Sequence, residues 1–204
     1  AGGTAAFTVA LTSQPTAEVG IGIASSDLTE GTVSTASLTF TSANWNTPKT
    51  VTVTGVNDAA VDGDLAYMVV TAAAASADAV YNGMNASDVS ATNLDNDAAA
   101  IQVTPTSGLV TTEAGGQATF TVVLTSQPTA DVTIGITSGD LTEGTASSAS
   151  LTFSTANWNT PQAVTVTGAD DAAVDGDAAY TVVTGAAASA DAVYNGLNAS
   201  DVSV

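Results

Sequence analysis

An all-β chain organised as two tandem antiparallel sandwiches is what the sequence predicts, and three observations predict it. Apolar residues alternate at period two within short stretches rich in Thr and Val. Gly, Asn, Asp and Pro punctuate those stretches, spacing turn signals about every 8–12 residues. The third observation is an internal repeat of 113 residues: residues 1–91 align without a gap to residues 114–204, with 71 of 91 positions identical. Whatever one copy folds into, the other must fold into as well.

The elements follow in order. Ala5, Phe7, Val9 and Leu11 alternate with small or polar residues until Gln14-Pro15 breaks the strand. Val19, Ile21 and Ile23 make the second strand, and the polar run SSDLTEGT after it reads as a loop. SLTF (37–40), KTVTVTG (49–55), Leu65–Thr71 and DVSATNL (88–94) continue the series, and IQVTPTSGLV (101–110) is the opening strand of the second copy. The Ala72–Ala75 run is too short to stand as a helix and reads as a strand end or loop. About seven short strands in roughly a hundred residues describe an antiparallel sandwich of immunoglobulin-like type. The first domain is read as 1–97 and the second as 98–204, with 92–113 as the connection between copies. The first copy lacks a counterpart of IQVTPTSGLVTTE before it, and the second lacks a counterpart of TNLDND after it. Two accounts fit: a section of a longer tandem array, or a subunit whose missing strand comes from a neighbour by strand addition.

Composition removes most functional classes. The 204 residues include 20 Asp and Glu, a single Lys or Arg, no His and no Cys, for a formal net charge of −19. Without imidazole or thiol there is no Ser-His-Asp or Cys-His nucleophile and no zinc site of His and Cys. With one cation, no phosphate clamp and no nucleic-acid surface can be built. A pair of carboxylates could in principle hydrolyse glycosides, but a small sandwich implies no substrate cleft, so no enzyme is expected. Hydrophobic residues form 45% of the chain, enough for a core, while aromatics are 5%, so that core is built from many small contacts. No run approaches the roughly 18 apolar residues of a membrane span, and AGGTAAFTVALT has no charged leader region. An export signal is therefore expected outside this chain.

The acids gather in loops. The first copy carries Asp27 and the run VNDAAVDGD with Asn57, Asp58, Asp62 and Asp64, and the connector carries Asp95, Asn96 and Asp97. The second carries Asp140 and ADDAAVDGD with Asp170, Asp171, Asp175 and Asp177. Two carboxylates about 4 Å apart repel by roughly 1 kcal/mol in water and by several times that in a partly desolvated loop. One cation cannot neutralise them. A hard divalent ion can, because Ca2+ accepts six to eight oxygens in flexible geometry, and Gly63 and Gly176 allow the tight turn such a loop needs. Solvated turn acids are the plainer reading of any single Asp-Gly; the doubled cluster without counter-charge favours the ion.

The order of these motifs resembles the Calx-β domain of sodium/calcium exchangers and of many bacterial surface and adhesin proteins. VTTEAGG corresponds to that family's Glu before a Gly-containing turn, placing Glu113. SSDLTEGT and SGDLTEGT, each followed by SLTF, correspond to its second motif, with Asp27 and Asp140. VNDAAVDGDLAY and ADDAAVDGDAAY correspond to its acidic loop, and NLDND to its terminal triplet. The resemblance covers nearly the whole chain as two incomplete copies. Asn57, Leu65 and Ala178 depart from the exchanger pattern at ligating positions, which implies one or two Ca2+ ions per complete site. It also implies ligands at one end of each sandwich and an ion limiting bending at the junction through the short linker 98–100.

A structural role follows as the expectation: calcium-binding repeats of an extracellular or bacterial cell-surface stalk, filament or adhesin, whose partners are neighbouring repeats of the same array. Binding of a glycan or host surface, through Trp45 and Trp158 in ANWNTP, and a calcium-sensor pair are the alternatives. Each Trp also reads as a core cap. Asn85-Ala86-Ser87 and Asn198-Ala199-Ser200 are glycosylation sequons. Lys49 becomes Gln162 in the second copy, so no isopeptide bond is common to both.

Overall fold

The alternating stretches fold as strands in both copies, and the computed structural model describes residues 2–170, 172 and 176–204. The chain divides into two compact units, Ala1–Asp58 with Asp62–Asn96, and Ala59–Val61 with Asp97–Val204. Among the described residues there is no α-helix, and none therefore long and apolar enough to cross a membrane.

The first unit contains β1 (Thr4–Val9), β2 (Val19–Ser25), β3 (Gly31–Val33), β4 (Ser37–Phe40), β5 (Lys49–Gly55), β6 (Leu65–Thr71), β7 (Ala75–Ser76) and β8 (Val89–Asn93). They form two antiparallel sheets, β1-β5-β3 and β4-β2-β6-β8, with β7 paired to β2. In the second unit, β9 (Ile101–Thr104), β10 (Gln117–Leu124), β11 (Val132–Ser138), β12 (Gly144–Ala146), β13 (Ser150–Phe153), β14 (Gln162–Gly168), β15 (Thr181–Thr184), β16 (Ala188–Ser189) and β17 (Val202–Ser203) repeat the pattern. Its sheets are β9-β10-β14-β12 and β13-β11-β15-β17, with β16 on β11. The all-β class and paired antiparallel sheets are those the sequence predicts.

Period-two alternation places one face of each strand inward, where the two sheets share a core. In the first unit that core joins Val51 and Val53 of β5 to Val19, Ile21 and Ile23 of β2, Phe40 of β4 and Val69 of β6. Val164, Val166, Val132, Ile134, Phe153 and Val182 do the same in the second. Tyr81 and Tyr194 are buried members of the first and second cores. The Tyr194 hydroxyl donates to the Ser126 carbonyl at 2.7 Å and accepts the Ser126 N–H at 3.0 Å.

Two elements differ from the sequence reading. The end of SSDLTEGT is not loop but β3, paired with β5 through Gly31↔Gly55, Thr32↔Thr54 and Val33↔Val53. Three residues are too few to display an alternation. Likewise IQVTPTSGLV is strand only to Thr104, since Pro105 has no N–H to continue the ladder.

Gly31 explains how β3 reaches its place: a Cβ there would overlap the Tyr67 ring, and Gly144 stands in the same relation to Tyr180. Gly31→Ala is therefore expected to destabilise the first unit by about 1–3 kcal/mol through overpacking. Chemical denaturation checks this; an unchanged midpoint would show that Tyr67 moves aside freely.

Candidate metal centre

The turn before β3 is built from its own side chains. Asp27 accepts the Thr29 N–H at 2.9 Å, its carbonyl accepts the Gly31 N–H at 3.1 Å, and Ser25 Oγ donates to the same carbonyl at 2.7 Å. The side-chain and backbone hydrogen bonds from Thr29 hold the Asp27 carboxyl below the ordinary aspartate value, and those from Thr142 do the same for Asp140. Both acids thus serve an Asx turn that delivers the next acid, Glu30 or Glu143, to the head of the following strand.

Glu30 is buried, with 7% of its surface exposed. Its Oε2 accepts from Asn93 Nδ2 at 3.2 Å, and the same Asn93 amide group donates to the Val56 carbonyl at 2.7 Å. Val56 in turn donates its N–H to the Glu30 carbonyl at 3.0 Å. The end of β8, the exit of β5 and the entry to β3 therefore lock Glu30 in place. Above it, the loop leaving β5 brings Asp58 and Asp62, and carboxylate oxygens of Glu30, Asp58 and Asp62 all lie within 4.8 Å of one another.

The loop meets the end of the unit in a reciprocal clasp. Gly63, at φ +79°, donates its N–H to Asp95 Oδ2 at 2.9 Å, and Asp95 donates its N–H to Asp64 Oδ1 at 3.0 Å. A side chain at Gly63 would strain that turn. Desolvation, then the charges of Asp58, Glu30 and Asp95, pushes the Asp62 carboxyl above the ordinary aspartate value. Burial, then the charge of Glu30, likewise raises the Tyr67 phenol. No lysine relieves this field: Lys49, the chain's one basic residue, holds its Nζ 5.4 Å from the Phe40 ring centroid, at the far end of β5. Seven strand residues put about 20 Å between the two ends of β5.

The donor set fits a hard cation. Ca2+ takes six to eight oxygens at about 2.3–2.6 Å in flexible geometry, so it tolerates carboxylates gathered from separate loops. Three carboxylates, one buried and two open to solvent, leave room for carbonyl and water oxygens to complete the shell.

The other acids singled out from the sequence are placed as follows. Asn57 is exposed and donates through Nδ2 to the Asp58 carbonyl at 3.0 Å. Asn96 is the last residue of the first unit, and Asp97 begins the longer segment of the second. In the second unit Glu113 and Asp177 line, with Glu143, a cavity of about 880 Å³ beside Tyr180. Asp170 is exposed, and Asp171 and Asp175 lie outside the described residues. Glu30 is absent from the set that the motif pattern singles out. The signal for it lies within SSDLTEGT itself, as the acid that remains once Asp27 is consumed by its turn.

The raised Asp62 carboxyl has a sign that can be measured. With a folded value above the unfolded one, the folded state binds more protons, so metal-free stability should rise as pH falls from neutral toward the ordinary aspartate value of 3.8. Below that, Asp78 acts oppositely: N–H donors from Thr16 and Val80 hold it low, and its contribution is lost as pH falls through its depressed value. Melting in chelator should therefore peak at mildly acidic pH. A melting temperature that falls steadily from pH 7 to 4 would contradict the crowding at Asp62.

No family model and no curated protein matches the chain. Among solved structures it is similar to CBD12 from CALX1.2, at 12% identity and a TM-score of 0.42, over 94% of this chain and 77% of that one. It is also similar to the calcium binding domain CBD12 of CALX1.1, at 14% identity and a TM-score of 0.43, over 91% and 74%.

Proposed function

We propose that the first unit binds Ca2+ through Glu30, Asp58 and Asp62, with Asp95 adding charge beside them. The chain then serves as a pair of calcium-stabilised sandwich repeats in an extracellular or cell-surface stalk, filament or adhesin, a structural role rather than a catalytic one. The observation that carries the reading is the convergence of three carboxylates within 4.8 Å in a chain with one basic residue. Such a group is self-repelling until a cation sits in it. The structural role is supported by the near-identical copies, which suit a length unit better than a private active site.

Calorimetric titration with Ca2+ tests the site. Dissociation constants of about 10⁻⁴–10⁻³ M suit an extracellular spacer, and micromolar values would favour a sensor instead. No heat and no protection at millimolar Ca2+ would remove the proposal. Stiffening of the junction between repeats is the finer part of it, and small-angle scattering curves that superimpose in Ca2+ and in chelator would dismiss that part alone.

A further inference from the structure

The two units are near-copies, so a difference in burial between equivalent residues reports on what covers them. Phe120, Val122 and Leu124 of β10 are 0%, 0% and 3% exposed, whereas their counterparts Phe7, Val9 and Leu11 are only partly buried against the first core. The sequences differ little here; the neighbours differ. In the second unit β9 lies along β10 in the register Thr121↔Thr104, Val122↔Val103, Val123↔Gln102 and Leu124↔Ile101. Val103 is buried, and Ile101 and Leu109 pack on the core. The chain then crosses to the opposite sheet, where Ser203 donates its N–H to the Thr106 carbonyl at 2.9 Å and Thr111 Oγ1 lies 2.9 Å from the Tyr180 hydroxyl.

In the first unit, β1 pairs with β5 alone among the described residues. Along its open side runs a groove of about 330 Å³ lined by Phe7, Val53, Tyr67, Val89 and Ala91, among others. Leu11 donates its N–H to the Trp45 carbonyl on the β5 side, so by strand alternation the N–H groups of Thr8, Ala10 and Thr12 face the open side. In the second unit the counterpart of Thr12, Thr125, donates from that side to the Ala100 carbonyl at 3.0 Å. The segment 4–13 also contains no charge and no proline, the usual guards of an exposed edge.

We infer that the β1 edge and its groove are a docking site for one extended strand with the chemistry of residues 98–113. The strand adds antiparallel to β1. Its Ile and Val at the positions of Ile101 and Val103 stand opposite Leu11 and Val9, its Leu at the position of Leu109 packs on the core, and its Thr at the position of Thr111 reaches the Tyr67 hydroxyl. The second unit is the internal precedent for each of these contacts. Calcium plays no part in the argument, so failure here leaves the metal proposal standing, and the reverse holds too.

The test titrates the full 204-residue chain with a synthetic peptide of residues 98–113, AAIQVTPTSGLVTTE preceded by one further Ala, and follows amide exchange by NMR. Saturable protection of the Thr8, Ala10 and Thr12 amides is expected. A peptide carrying Val103→Asp should not bind. Ala10→Pro in the protein removes one outward N–H without touching the β5 ladder, and should weaken binding about tenfold while the chain still melts cooperatively. Four results would overturn the inference: no saturable protection, protection confined to Thr121, Val123 and Thr125 of the second unit, equal binding of the Val103→Asp peptide, or an edge already covered by self-association of the chain without peptide.

Discussion

Replacing Asp58 and Asp62 together by Ala is expected to abolish the calcium dependence of the first unit's melting temperature. In the parent chain, Ca2+ at a hundredfold excess over its dissociation constant adds about 2.7 kcal/mol to the folded state. For a domain of about a hundred residues that is roughly 10 °C or more. The same field predicts an opposite sign without metal. Carboxylates of Glu30, Asp58 and Asp62 lie within 4.8 Å, so removing two of them relieves repulsion, and the variant in chelator should melt above the parent. Glu30→Gln separates the contributions further, because it keeps a side chain of the same shape beside Asn93 while removing the buried charge. It too should lose most of the calcium response. A double variant that remains as calcium-responsive as the parent would place the ion elsewhere.

Tyr194→Phe should produce the largest loss of stability from any single-atom change, and Tyr81→Phe a smaller one. The Tyr194 hydroxyl satisfies the Ser126 N–H, carbonyl and hydroxyl at 3.0, 2.7 and 2.7 Å, and Ser126 is fully buried. Deleting the oxygen orphans several groups that water cannot reach, at about 1–3 kcal/mol each, so a loss of about 3 kcal/mol or more is expected. Tyr81 makes the same three contacts with Ser13 at 3.1, 2.7 and 2.7 Å, but Ser13 is exposed and water can replace the lost oxygen. About 1 kcal/mol should go. Denaturant unfolding of each variant measures both values, and equal losses would show that solvent access at Ser13 and Ser126 does not govern the cost.

Two groups of acids with different partners stand out within the acidity that is so plain in the sequence. Asp78 and Asp191 each accept backbone N–H groups across the unit, from Thr16 and Val80 and from Thr129 and Val193. Burial weighs most on Asp191 and would raise it, yet those donors together hold its carboxyl below the ordinary value. Asp88 and Asp201 cap Thr71 and Thr184 in the same way. Backbone donors thus stand in for the missing lysines and arginines at these positions. The carboxylates of Glu30, Asp58 and Asp62 converge on one another. The Thr16 donor to Asp78 lies 62 residues away, so the local sequence of Asp78 gives no sign of it.

By itself the sequence determined the strand alternation, the turns, the doubling of the fold and the excess of loop carboxylates over cations, because period, turn chemistry and charge are written in neighbouring residues. Only the tertiary structure decided that Glu30 joins Asp58 and Asp62, and that Phe7 and Phe120, at matching positions in the two copies, differ in burial. Each of those outcomes depends on which distant strand lies alongside, and a donor or a covering side chain brought from far along the chain leaves no mark on the residues it meets.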